Sequence, residues 1–155
     1  MMAVAAPVRR DRESGTVTPR RTVPADSLRL GGHVSLGPRP IDVMRCMGAE
    51  GFTCLQIHAS SPRTWRVPAP REARTLVIRS ACLETGMDLY LHSIYLLNLA
   101  SENEDLYAAS IRHLIWNMQV AAEIGARAVV FHIGSHLGRG FERAALASRR
   151  AWRRC

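Results

Sequence analysis

Three histidines are notable for where they fall. His58, His92 and His132 each close a short apolar run, Thr53–His58, Asp88–His92 and Ala128–His132, of the kind that forms a buried strand. In a parallel α/β sheet the carboxyl ends of the strands share one rim, which is where barrels and open sheets keep their chemistry. Neutral imidazole is a common metal ligand, and two or three rings converging from neighbouring strands could hold zinc or a related ion. A strand-end histidine is equally at home as a hydrogen-bonded or exposed residue. No strand here ends in the carboxylate that a hydrolytic metal site normally uses to bind or bridge.

Two loops that follow these runs are polar enough to matter. Ile133–Gly140 carries three glycines that allow close backbone approach, Ser135 and His136 as hydrogen-bonding groups, and Arg139 as a group for phosphate. It lacks the lysine and following serine or threonine of a P-loop. Ser60–Arg66 sets Arg63 and Arg66 around Trp65, a pairing that grips phosphate and stacks on bases, or else a solvated loop whose tryptophan packs on its own helix.

The elements that must position these groups alternate short apolar runs with longer amphipathic ones. Leu30–Ser35 leads into a helix over Ile41–Glu50 that Gly51 ends. Thr53–His58 leads to a helix from Pro70 to Thr85, with Ala73, Leu76, Val77 and Ala81 on one apolar face. Asp88–His92 is followed by a long helix over Glu104–Ile124, and Ala128–His132 by a last helix starting at Phe141. Repeated strand–loop–helix units predict a parallel sheet, because parallel strands need a crossover between them. Four units make half of a barrel that takes about 250 residues, or a small open α/β sheet.

Composition sets outer bounds. The chain has 155 residues, 47% apolar and 22% charged, enough for one domain. Its cysteines, Cys46, Cys54, Cys82 and Cys155, form no C-x-x-C pair, so neither a disulfide framework nor a zinc ribbon is indicated. No run is long and apolar enough for a membrane span or a signal peptide, so a soluble cytoplasmic protein is expected. The net charge of +8 is unevenly spread. Residues 1–30 carry six arginines and three acids, residues 31–138 nine of each, and residues 139–155 six arginines and one acid. The body is therefore neutral and the excess sits in the ends, so specific nucleic-acid binding must come from placed residues and not from bulk charge.

The motifs together resemble the endonuclease IV family of apurinic/apyrimidinic endonucleases, AP endonuclease family 2. The resemblance runs through Gly32-His33-Val34-Ser35, Gln56-Ile57-His58 with Ser61-Pro62-Arg63-Thr64-Trp65, His92-Ser93-Ile94-Tyr95-Leu96-Leu97-Asn98-Leu99-Ala100, and Phe131-His132-Ile133-Gly134-Ser135-His136. The four segments keep the family's order and intervals, and the H-x-x-Y-L-x-N-L-A stretch is the most specific. The resemblance implies a xylose-isomerase-like, partial TIM (β/α)8 barrel made of the first four βα units. It also implies a trinuclear zinc site that cleaves the backbone of double-stranded DNA on the 5′ side of abasic sites in base-excision repair. Carried over residue by residue, His92 and His132 match metal ligands and Arg63 and Tyr95 match residues that enter DNA at the lesion. His33, Ser35, Ser135 and His136 match supporting positions.

The departures shape the remaining expectations. Ile133 stands where the family usually has proline, and His58 where it usually has another residue, so His58 is expected to neighbour the site. The family's bridging glutamate and its later Asp-Thr-Cys-His, His-x-Asn-Asp and Asp-x-His segments are absent. The expected organisation is a disordered basic leader over residues 1–27, a half-barrel over 28–146 and an aberrant arginine-rich tail over 147–155. Such a half-barrel is expected to hold at most a partial zinc site and to be inactive alone. Its open sheet edges would favour self-association or docking with a missing C-terminal half. The alternatives are a sugar isomerase or epimerase fragment, and a non-catalytic remnant that binds nucleic acid weakly.

Overall fold

The computed structural model describes residues 3–7, 28–67 and 72–153. The elements in chain order are β1 (Ala3–Pro7), β2 (Gly31–His33), α1 (Pro40–Ala49), β3 (Cys54–His58), α2 (Glu72–Thr85), β4 (Asp88–His92), α3 (Glu104–Ile124), β5 (Ala128–His132) and α4 (Phe141–Trp152). The expected start of the second helix at Pro70 lies outside the described residues.

Strands β2, β3, β4 and β5 lie side by side in chain order and all run parallel. Their order never reverses, as it would in a doubly wound sheet, and this is the sequence of strands in a (β/α)8 barrel. Along β3 and β4 residues facing one side are buried: Leu55 and Ile57, then Leu89 and Leu91, followed on β5 by Val129 and Phe131. Helices α1, α2 and α3 form a layer in which each packs on the next, closing the core around Met44, Leu114 and Ile124. The fold is thus a partial TIM barrel of four βα units.

Local sequence explains the helix ends. Pro40 opens α1, where its missing N–H costs nothing. Asn103 caps α3, its side chain accepting from the Leu106 N–H at 2.9 Å. Gly125 ends α3 at φ 73°, and the Ala126 N–H then reaches back to the Ala121 carbonyl at 2.8 Å, a Schellman closure that a left-handed residue makes possible. At the amino ends of the strands, buried Asp88 is held by Arg127 at 2.5 Å and by Arg29, so one carboxylate fastens the start of β4 to the segments entering β2 and β5.

Three expectations change. Residues 3–7, read as part of a disordered leader, form β1, which pairs antiparallel along the outer edge of β5 from Ala3 opposite His132 to Pro7 opposite Ala128. That edge offers a row of backbone donors and acceptors to any extended segment, and pairing with it needs no side-chain alternation that a sequence pattern would reveal. Residues 8–27 lie outside the described residues. The tail expected from residue 147 is instead the second half of α4: Ala151 is buried and the Trp152 ring stacks on Phe131, centroids 5.9 Å apart and 13° from parallel. A buried small residue and one ring suffice to dock a helix that is otherwise rich in arginine.

The third change is the face of α2. Leu76 and Val77 are exposed, whereas Ile78 and Ala81 are buried, so the helix is rotated from the expected stripe. Apolar residues occur around most of this helix, and two stripes compete at helical spacing; the sheet selects the one bearing the β-branched Ile78. Replacing Ile78 (6% exposed) by alanine is therefore expected to cost about 2–5 kcal/mol in urea unfolding, and Leu76→Ala (55% exposed) less than about 0.5 kcal/mol. The reverse ranking would restore the original stripe.

Candidate functional site

Register decides which side chains meet. His58 pairs directly with His92, His33 pairs with Gln56 two residues before His58, and His92 pairs with Val130 two residues before His132. Every offset is even, and strand side chains alternate with period two, so His33, His58, His92 and His132 all emerge on the face opposite the helix layer. The two-residue steps give the stagger that accompanies strand tilt in a barrel.

The four rings form a continuous row. Centroids are 4.5 Å apart for His33 and His58, 5.1 Å for His58 and His92, and 5.1 Å for His92 and His132. Tyr95 lies over them, 5.3 Å from His58, 5.6 Å from His92 and 5.9 Å from His132, with 49% of its surface exposed. His33 and His58, expected in secondary positions, are therefore full members of the row. Ser35 is exposed two residues beyond His33.

Hydrogen bonds orient two of the rings. His58 Nδ1 lies 2.9 Å from the His92 carbonyl, and His92 Nδ1 2.6 Å from the Ser93 carbonyl. A carbonyl only accepts, so each Nδ1 carries the proton and each Nε2 keeps its lone pair in the neutral ring. His132 Nδ1 is buried with no hydrogen-bond partner, the condition of a ring nitrogen available to ligate. The donor chemistry of the His92 and His132 pair thus fits an ion that accepts imidazole. Among the described residues no three His, Cys, Asp or Glu side chains stand so as to hold one ion together, and the row contains no carboxylate.

The loops after the strands meet as well. The Tyr95 N–H donates to the Pro62 carbonyl at 2.9 Å, which sets exposed Arg63 beside the loop that bears Tyr95. Trp65 lies against His113 of α3, centroids 6.1 Å apart, so its ring packs on a helix other than the one that follows it in sequence. Below it, Asn117 donates to His113 Nδ1 at 2.7 Å and to Ser93 Oγ at 3.4 Å, tying α3 to the residue that follows His92. No sequence pattern marks this buried polar group, because isolated polar residues in a long helix carry no spacing signal.

The side chains of Ser135 and His136 serve their own loop. Ser135 Oγ accepts the Leu137 N–H, and His136 Nδ1 accepts the Gly138 N–H at 3.2 Å. Arg139, read as a group for phosphate, instead donates to the carbonyls of His136 and Ala100 and pairs with Glu102 at 2.9 Å. With its guanidinium engaged on several sides, it is a clamp between loops.

The known proteins that this chain is similar to agree on one fold. The family model described as xylose isomerase-like TIM barrel matches residues 47–155. The chain belongs to AP endonuclease family 2. It is 33% identical over 118 residues to the probable endonuclease 4 of Petrotoga mobilis, covering 74% of this chain and 41% of that protein. It is 35% identical over 119 residues to the probable endonuclease 4 of Mycobacterium ulcerans, covering 74% and 44%. The crystal structure of endonuclease IV from Thermus thermophilus superposes with a TM-score of 0.66 at 32% identity, covering 81% of this chain and 46% of that one. SacUVDE, at 13% identity and a TM-score of 0.59, shares the fold. The family 2 chain described here spans less than half the length of the relatives it matches in sequence.

The histidine row makes a pH prediction. Burial lowers the pKa of His58 and His132, as does the charge of neighbouring imidazoles, while the bond to the His92 carbonyl raises that of His58 in part. Partial burial and His92 lower His33, and burial lowers His113 within α3. The unfolded chain then takes up protons first, so stability is full above about pH 6.5 and falls as pH is lowered through that value. Urea midpoints are expected to be lower at about pH 5.5 than at about pH 7.5. Equal midpoints would mean that the folded rings take up protons as readily as those of the unfolded chain.

Proposed function

We propose that this chain is the abasic-site-recognising part of a zinc-dependent AP endonuclease that acts on double-stranded DNA, and that by itself it binds the lesion without cutting. The observation that carries the reading is the bond from the Tyr95 N–H to the Pro62 carbonyl, which joins the loop bearing exposed Arg63 to the loop whose Tyr95 ring lies over the row of imidazoles.

The chemistry follows from what each group offers. Arg63 and Tyr95 present a planar cation and an exposed ring, both able to occupy a gap in a base stack. A nucleotide without a base costs least to extrude, so filling its place favours the lesion over intact duplex. The extruded sugar and its phosphate then face the histidine row. His92 and His132 would hold the zinc there, and the ion, when bound, supplies charge to a phosphoryl oxygen and lowers the pKa of water. His58 donates to the His92 carbonyl and so holds that strand end in place. A sugar isomerase has no use for an arginine and a tyrosine that stack into a duplex, which favours the nuclease reading over the isomerase one.

The composition of the row supports the second half of the proposal. Two imidazoles leave a zinc ion short of the three protein ligands that an open catalytic site usually keeps, and no carboxylate lies in the row to bridge ions or orient hydroxide.

Fluorescence anisotropy with a duplex bearing a tetrahydrofuran abasic analogue, compared with the intact duplex at one salt concentration, tests the recognition. The lesion is expected to be preferred, and Arg63→Ala or Tyr95→Ala to reduce that preference about tenfold. Equal affinity for both duplexes would leave only the sequence-independent charge of the chain ends. Incubation with zinc is expected to leave the abasic strand intact; a nick on its 5′ side would show that the row needs no carboxylate.

A further inference from the structure

The segment that carries Tyr95 is anchored on both sides of the residues it exposes. Ile94, Leu97, Leu99 and Ala100 are buried, while Tyr95 and Leu96 protrude between them. One side chain in this segment reaches across to the loop after β5. Asn98 Oδ1 accepts the N–H of Ala100 at 3.0 Å and that of Ser135 at 3.2 Å, and Asn98 Nδ2 donates to the Ser135 carbonyl at 3.2 Å. The Leu99 N–H adds a backbone bond to the Ile133 carbonyl at 2.9 Å, and the Asn98 N–H is taken by Ser110 Oγ of α3 at 3.0 Å.

Such a set needs one acceptor and one donor on the same short side chain. An aspartate keeps the acceptor but turns a second oxygen toward the Ser135 carbonyl, and an alanine keeps neither. The approach also needs a residue without Cβ on the facing loop. Gly134 sits at φ +123°, and a Cβ built there would lie 2.1 Å from Asn98 Oδ1 and 2.9 Å from Asn98 Cα. Asn98 and Gly134 are thus two halves of one contact.

These bonds add nothing to the β4–β5 ladder, which is complete below them. They join the protruding Tyr95 knuckle to the loop that begins beside His132. Resting on the lesion-recognition reading above, we propose that Asn98 is a positioning residue: it locks the Tyr95 and His132 loops into one rigid unit, so that the ring entering the base stack and the imidazoles facing the phosphate keep a fixed separation.

The test uses the full chain and three variants, Asn98→Ala, Asn98→Asp and Gly134→Ala. Hydrogen exchange read by NMR is expected to show the Ala100 and Ser135 amides losing protection together in Asn98→Ala, with the Leu114 amide in α3 unchanged. In anisotropy titrations the ratio of abasic-analogue to intact-duplex affinity is expected to fall about tenfold in Asn98→Ala and Gly134→Ala, with the affinity for intact duplex unchanged. Asn98→Asp, which still accepts both N–H groups, is expected to recover part of the ratio. A role confined to stability would lower both affinities together with the melting temperature, and that pattern overturns the proposal. So does an unchanged ratio in a variant whose two amides have become exposed. Protected amides in Asn98→Ala would show that the clamp does not exist. If the wild-type chain itself shows no preference for the lesion, the recognition reading fails, and a positioning role for Asn98 in DNA binding fails with it, while the exchange data still report whether the clamp is real.

Discussion

Much of this molecule depends on the pairing of β3 with β4, in which His58 stands directly opposite His92. Slipping either strand by one residue would turn its own pair, Leu55 and Ile57 or Leu89 and Leu91, away from the helices and drive its histidine into the core. The cost of exposing two large apolar side chains on whichever strand slips therefore fixes the position of the imidazoles. Hydrophobic burial on one face of the sheet does the aligning, and the polar face inherits the precision. The stagger of β2 and β5 by two residues extends the same alignment to His33 and His132 without any direct attraction between the rings.

The loops inherit their positions in turn. Each leaves its strand at a fixed height, and hydrogen bonds between neighbouring loops then remove the freedom that remains: Tyr95 to Pro62, Asn98 to Ser135, Arg139 to Ala100. Backbone groups, the short side chain of Asn98 and the long one of Arg139 do this work, and Arg63 and Tyr95 stay exposed to solvent. This division explains why Arg63 is exposed while Arg139, in an equally polar loop, is fully engaged.

Much of this was legible in the sequence. The strands β3, β4 and β5 and the helix α3 follow from apolar runs and glycine stops, and the three strand-end histidines mark the rim. Residues whose importance depends on a partner far along the chain were harder to read. His33 gains its place from register with Gln56, a pairing that no local pattern encodes. Asn98 looks like one polar residue in an apolar stretch until Gly134 is placed beside it. Strand β1 belongs to this group too, since its only qualification is an available edge on β5. The rotation of α2 shows the opposite difficulty: its apolar residues specify a buried face, but two faces satisfy the spacing and the layer beneath chooses.

Charge is distributed along the strands in a way that bears on what the rim can bind. The one buried carboxylate among the described residues, Asp88, lies at the amino end of β4 and is neutralised by Arg29 and Arg127. Its contribution is to hold strand ends together, and it stands at the opposite end of the strand from His92. At the carboxyl end the row itself consists of imidazoles, and among the described residues no carboxylate joins them in a group that could hold one ion. On the proposed reading, a divalent ion held there keeps nearly its whole charge, because neutral ligands do not offset it. That charge has to be met by an anion brought to the rim. A phosphodiester supplies one, and a neutral sugar does not. On that reading, the same imbalance that leaves the row short of a hydrolytic site suits it to phosphate, which is the part of the reaction that recognition of a DNA lesion would require.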